Sequence, residues 1–252
     1  MTPWVTRLIL ANVAVFAVTE YFLPGSAIYL ALIPSMMLQH PWTVFTYMFV
    51  HAGWMHILFN MIALYFFGPR LELRLGGGRF LALYFLSGLG GAALSLLTPD
   101  VAIVGASGAI MGVLVGYARY WPHDKIYLWA IVPIEARVLL ILFVGFEILG
   151  GLGYVEPHVA HFAHLGGVAV GYLYLRWSEA HSPAARFKRQ AAPVAPTPPS
   201  AAEVDRWRRI RPDDLHPVNR AEYDRIRAKL DAAGPGGLTP AERAFLDRFS
   251  AV

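Results

Sequence analysis

The chain contains no cysteine, which excludes a disulfide framework, a thiolate metal site and a cysteine nucleophile. Charge is scarce too. Charged residues make up 15% of the 252 and hydrophobic ones 56%, whereas a soluble domain carries about 25% charged residues. No HExxH occurs, so the zinc type of intramembrane protease is not supported, and no GxGD, so the aspartyl type is not either. Repeats of solenoid length are absent. The formal charge of +4 comes with no nucleic-acid-binding motif, so no nucleic-acid partner is expected.

What remains is unevenly distributed. From Trp4 to Trp177 the sequence is a series of long apolar runs, and from Ser178 to Val252 it is charged, Pro-rich and poor in apolar residues. A spanning helix needs roughly 20 mostly apolar residues. Six segments suit: about 5–23, 51–68, 79–97, 103–120, 136–153 and 159–177. The first run, Leu8 to Leu23, lacks a small-x-small cleavage site and is expected to be a retained helix, not a signal peptide. Ile28 to Met48 is also apolar, but Pro34 and Pro41 interrupt it, with Gln39 and His40 between them. It is expected to be a membrane-surface or re-entrant element.

Basic residues arbitrate the topology, because cytoplasmic loops carry the Lys and Arg excess. Arg7, then Arg70, Arg74 and Arg79, then Arg119, Lys125 and Arg137, then Arg176, Arg186, Lys188 and Arg189 fall on one side of a six-span arrangement. The opposite loops, between Pro24 and Val50, Thr98 and Val104, and Gly153 and Ala160, hold none. The expectation is an all-α polytopic membrane protein of the cell (inner) membrane, with both termini cytoplasmic. Residues 1–177 would form the six-helix membrane domain, 178–202 an extended Ala/Pro-rich linker, and 203–252 a small cytoplasmic helical extension. In that extension Arg220 to Ala232 and Thr239 to Phe249 look helical. Thr239-Pro240-Ala241-Glu242 fits an N-cap, a first-turn Pro and a capping-box Glu.

Polar groups at membrane depth are expensive, so each needs a reason. His51, His56, Asn60, Ser107 and His164 all fall in the outer part of the second, fourth or sixth helix. Ser107 lies in Gly105-Ala106-Ser107-Gly108. The glycines permit a tight turn and close approach of a substrate backbone, and free N–H groups at a helix start suit an oxyanion. A serine hydroxyl needs a base, and His is the usual one near neutral pH. Gly108, Gly112 and Gly116 recur at every fourth position, as do Ala163, Gly167 and Gly171. Such stripes let membrane helices approach closely, and packing them together would bring Ser107 to His164. His56 and Asn60 share one helix face and can donate hydrogen bonds. Taken singly, each feature also has a plain structural explanation: a helix N-cap, a histidine bonded to a backbone carbonyl, ordinary helix packing, an interhelical polar pair. On spacing, His51, His56, His161 and His164 would also permit a metal site, although no metal or cofactor is expected. Glu147 lies inside the fifth helix without an assignable partner. Glu72 and Arg74 suit helix orientation and loop structure.

These residues resemble the rhomboid protease family. The resemblance rests on His51-Ala-Gly-Trp-Met-His56-Ile-Leu-Phe-Asn60, Glu72-Leu-Arg74-Leu-Gly76, Gly105-Ala-Ser107-Gly108 and Ala163-His164-Leu-Gly-Gly167-Val-Ala-Val-Gly171, in that order. It implies a Ser107–His164 dyad without an acidic third member, cutting in or beside the transmembrane helix of a membrane-protein substrate. It also implies an oxyanion hole from His56, Asn60 and the Ser107 backbone, and His51 as a supporting or water-retaining residue. Gly105, Gly108, Gly167 and Gly171 would support the site. Ile28 to Met48 would be the family's lateral loop in the outer leaflet, and the fifth helix the gate for substrate entry. Many relatives carry Trp-Arg in that loop, where this chain has Trp42-Thr43. Two other classes stay open on the residues alone: a catalytically inactive relative that binds membrane clients, and a small polytopic transporter.

Overall fold

The computed structural model describes residues 1–128, 131–154, 160–190 and 198–250. The chain divides into two compact units, Met1–Ala185 and Arg186–Val252.

The first unit is mostly helical. Helix α1 covers Pro3–Ala17 and ends in a wider π turn, Val18–Phe22. Next come α2 (Trp54–Leu75), α3 (Gly77–Leu94), α4 (Ser107–Tyr120), α5 (Ala136–Gly151) and α6 (His161–Ala180). Helix α4 is central. Ten of its 14 residues, Gly108 to Gly116 and Ala118, are buried, as befits a helix apolar on every side. It packs against α2, α3, α5 and α6. The outer helices turn large apolar side chains outward, among them Leu58, Phe59 and Phe66 of α2 and Ile141, Leu142 and Phe143 of α5. Exposed apolar surface on that scale marks contact with something other than water.

Among the described residues two helices are long and apolar enough to cross a membrane, Pro3–Phe22 and Gly77–Leu97. A third candidate is the pair Thr43–Phe49 and Trp54–Leu75, bent by 91°. The other segments fall short for physical reasons. Helix α4 begins at Ser107, not near 103, because the chain before it runs as an irregular loop. Its 14 residues reach only about 21 Å. Helix α5 has 16 residues, and α6 carries two histidines, Arg176 and Glu179.

Several expected boundaries move. Helix α2 does not stop at 68 but runs through Pro69 to Leu75. A proline removes one helix hydrogen bond, and here the helix continues past it. Arg70 and Arg74 therefore lie on the helix itself, and Gly76, at φ 80°, is the whole connection to α3. The structure is mostly helical, as the all-α expectation has it, and adds one small element that the sequence did not suggest: a two-stranded antiparallel hairpin, β1 (Lys125–Leu128) and β2 (Val132–Glu135), with Lys125 opposite Glu135. Burial alternates along β1, and Ile126, Val132 and Ile134 are β-branched residues that favour strands. Pro133 is tolerated because both strands are edges. The expected extended linker over 178–202 is also corrected. Helix α6 continues to Ala180, and α7 covers Pro183–Gln190. Ser182 accepts the Ala185 N–H at 3.2 Å and Pro183 starts the helix, so a local N-cap outweighs the Ala/Pro composition. Residues 191–197 of that stretch lie outside the described residues.

The second unit contains α8 (Ala201–Arg208), α9 (Pro217–Ala233) and α10 (Pro240–Ser250). Ser200 and Glu203 form a capping box on α8. On α10, Glu242 accepts the Thr239 N–H at 2.7 Å while Thr239 Oγ1 accepts the Glu242 N–H at 3.3 Å. Trp207, Ile210, Tyr223, Ile226, Leu230, Leu238 and Leu246 form its core. Trp207 also donates to Asp247 at 2.8 Å.

Candidate active site

The segment between α1 and α2 positions the floor of the site. It contains only single helical turns, and Leu32 pairs with Ile103 through two backbone hydrogen bonds of 3.0 and 2.7 Å. Thr46 Oγ1 donates to the Leu30 carbonyl at 2.9 Å, and the Trp42 indole to the Tyr29 carbonyl, also at 2.9 Å. Thr43 donates to the His40 carbonyl at 2.6 Å. Tyr47 then ties the loop to the bundle. Its carbonyl accepts the Gly105 N–H at 2.9 Å, and its buried hydroxyl donates to the Gly88 carbonyl at 2.7 Å.

Gly105 sits at φ 115°, a conformation other residues rarely adopt, and a Cβ there would meet the His56 imidazole. The chain then turns into α4 with Ser107 as its first residue. At that position the N–H has no acceptor within its own helix. Ser107 is partly accessible. From α6, His164 directs Nε2 to Ser107 Oγ at 2.6 Å, and its side chain is 13% exposed.

Close packing of α4 on α6 makes this distance possible. A Cβ at Gly167 would overlap the Gly108 carbonyl oxygen, and one at Gly171 would lie 2.7 Å from Gly112 Cα. Only part of the fourth-residue stripe takes part, since Gly116 faces Leu71 and Leu83 instead. A second close approach was not legible in the spacing: Gly166 of α6 packs on the Gly90 carbonyl of α3.

His56 and Asn60 both lie in the first two turns of α2. The Ala52 N–H approaches His56 Nδ1 at 3.4 Å, which places the ring proton on Nε2, the nitrogen beside Gly105. Asn60 donates to the His56 carbonyl at 2.9 Å, so its amide already has one partner within its own helix. His51 is buried and stacks edge-on against His56 with ring centroids 5.0 Å apart.

Glu147 of α5 is buried at 3% exposure. Its carboxylate lies 2.7 Å from His161 Nδ1 and 3.0 Å from His164 Nδ1. The second separation is that of an ion pair, but the ring N–H direction misses the oxygen, so it is not a linear hydrogen bond. Glu147, which the sequence left without an assigned partner, thus lies beside both histidines of α6. The sequence showed Glu147 as polar at membrane depth but not its partners, because the rotation of α5 about its axis decides them. Glu72, at the far end of α2, accepts the N–H groups of Trp4 and Val5 at 3.2 and 2.9 Å and so caps α1.

Residues 38–177 match the rhomboid domain. The chain belongs to the rhomboid family. Its rhomboid relatives include RHOMBOID-like protein 1 of Arabidopsis thaliana, 41% identical over 133 residues, covering 52% of this chain and 33% of the relative. Rhomboid protein 1, mitochondrial, of Saccharomyces cerevisiae is 36% identical over 134 residues, 50% of this chain and 38% of its own. "Putative rhomboid protease YdcA" of Bacillus subtilis is 32% identical over 134 residues, 52% of this chain and 64% of its own. The matched stretch thus spans between a third and two thirds of these relatives. Rhomboid membership and the apolar helices together make the chain a membrane protein.

Proposed function

We propose that this rhomboid protein is an intramembrane serine endopeptidase that cleaves transmembrane or juxtamembrane segments of other membrane proteins. The observation that carries the reading is the 2.6 Å contact between Ser107 Oγ and His164 Nε2. That distance is within the range for a nucleophile and its base. His164 takes the Oγ proton as the oxygen bonds to the scissile carbonyl carbon. It then passes that proton to the leaving amine as the C–N bond breaks. Water, activated in turn by His164, hydrolyses the acyl-enzyme. The Ser107 N–H and His56 Nε2–H are the donors for the oxyanion, and Asn60 joins them by rotating its amide. The closely packed Gly108–Gly167 and Gly112–Gly171 crossings keep serine and imidazole at one depth.

In this reading α1 to α6 are six spans with both termini cytoplasmic, and the site opens toward the outer side of the cell membrane. The short α4 is completed by the loop before it, and irregular backbone at that depth is tolerated where protein or a water-filled cavity surrounds it. The partners are substrate transmembrane helices and the bilayer itself.

Cleavage of a model transmembrane substrate by the purified chain tests the proposal. Ser107→Ala is expected to abolish cleavage while melting as the parent does. Cleavage that persists in this variant removes the assignment.

A further inference from the structure

We propose that Glu147 is the positioning residue of the Ser107–His164 pair: its carboxylate, shared with His161, orients the His164 ring and stabilises the imidazolium formed when Ser107 gives up its proton. The inference rests on the proteolytic reading and adds a third member to it, in the chain order Ser107, Glu147, His164.

The geometry has three parts. Glu147 reaches inward from α5, a helix otherwise apolar after Arg137, and it is buried. An ionised carboxylate at that depth is costly unless it is paired. Second, its two oxygens are divided between two imidazoles one helical turn apart on α6, Oε2 to His161 and Oε1 to His164. Gly150, one turn beyond Glu147, makes room, because a Cβ there would overlap the His161 ring. Third, Nε2 of the same His164 faces Ser107. The two nitrogens of one ring therefore face a hydroxyl and a carboxylate.

That order of groups has a chemical consequence. A carboxylate at Nδ1 favours the tautomer with its proton on Nδ1, which leaves Nε2 free to accept from the serine. When the proton arrives, the imidazolium lies beside a negative charge in a medium of low dielectric, where the attraction is strong. The off-axis contact in the resting arrangement needs only a small rotation of the ring to become linear, and such bonds commonly tighten in the reacting complex. A purely structural role, tying α5 to α6, would be met by the His161 contact alone and gives no reason for the second oxygen to meet His164. Groups facing His164 from the packed elements are Ser107 of α4, Glu147 of α5, His161 of its own helix, and His56 of α2 across the site.

The test is the rate at which a fluorophosphonate probe labels Ser107 in the full-length chain, measured against pH. Wild-type labelling and cleavage must first be present; their absence counts against the proteolytic reading itself. Given them, Glu147→Gln is expected to lower the plateau labelling rate and kcat on the order of a hundredfold, with KM little changed. It is also expected to move the acid limb of the profile to lower pH, since a base that loses its carboxylate holds its proton less tightly. An acid limb that stays in place, with any loss of rate tracking a lower melting temperature, overturns the proposal. If Glu147→Gln does not fold, Glu147→Asp decides. It keeps the charge but withdraws it by one methylene. It is expected to retain the wild-type acid limb with a labelling rate reduced about tenfold, and a rate equal to wild type overturns the proposal.

Discussion

At the scale of single residues, the site depends on glycines as much as on the groups that react. Gly167 has no room for a Cβ because the Gly108 carbonyl is in the way, and backbone cannot move aside as a flexible side chain can. Gly167→Val is expected to push α6 off α4, separating His164 from Ser107. Cleavage should be lost, with a destabilisation of about 1–3 kcal/mol or more, read as a drop in melting temperature in detergent. Gly145→Ala is the control: nothing lies within 4 Å of its Cβ position, so melting temperature and rate should stay near those of the parent. Gly105→Ala combines a disallowed φ with a collision against His56. It should lower kcat more than it lowers stability, because it disturbs the loop that carries the oxyanion donors. Ser107 and His164 stood out in the sequence because each is polar within an apolar run and adjoins small residues. Tyr47 was not: its hydroxyl binds a backbone carbonyl, and a tyrosine in an apolar stretch does not reveal that.

At the scale of helices, long-range caps fix where elements begin. Glu72 of α2 satisfies two N–H groups at the start of α1. Glu72→Ala leaves them buried without partners, at a cost of about 1–3 kcal/mol. The expected result is faster hydrogen exchange at the first turn of α1, with the melting temperature lowered. Its place at the end of an apolar run marks Glu72 as an orienting residue, but the spacing does not reveal the partner helix. Helix existence was readable from apolar length. Helix ends were not, where local chemistry competes with composition. Pro69 looked like a terminus, yet α2 passes through it. The linker looked extended, yet Ser182 and Pro183 start a helix there. The hairpin β1–β2 was hidden because four-residue strands leave too short a pattern to separate from a polar loop.

At the scale of the molecule, the two units stand on different physics. Met1–Ala185 holds together by close backbone approach and a buried apolar core, and turns large apolar side chains outward. Arg186–Val252 has a small apolar core and an ion-paired edge in which Lys229 lies 2.8 Å from Glu242. The Lys229 ammonium, and then the Thr239 N–H, hold the Glu242 carboxyl down from the usual 4.5 to about 2. A carboxyl depressed in the folded state contributes stability above its unfolded value and loses it as pH falls toward its folded one. The second unit is therefore expected to unfold at lower urea as pH drops from about 4.5 to about 2, followed by the methyl signals of Ile226. Glu242→Gln should flatten that dependence. The proteolytic account stands on the first unit, and peptide mapping after fluorophosphonate treatment tests it most directly. The expected result is one adduct per chain, on Ser107 in the parent and missing in His164→Ala. Equal labelling of both chains, or an adduct at another serine, would contradict it.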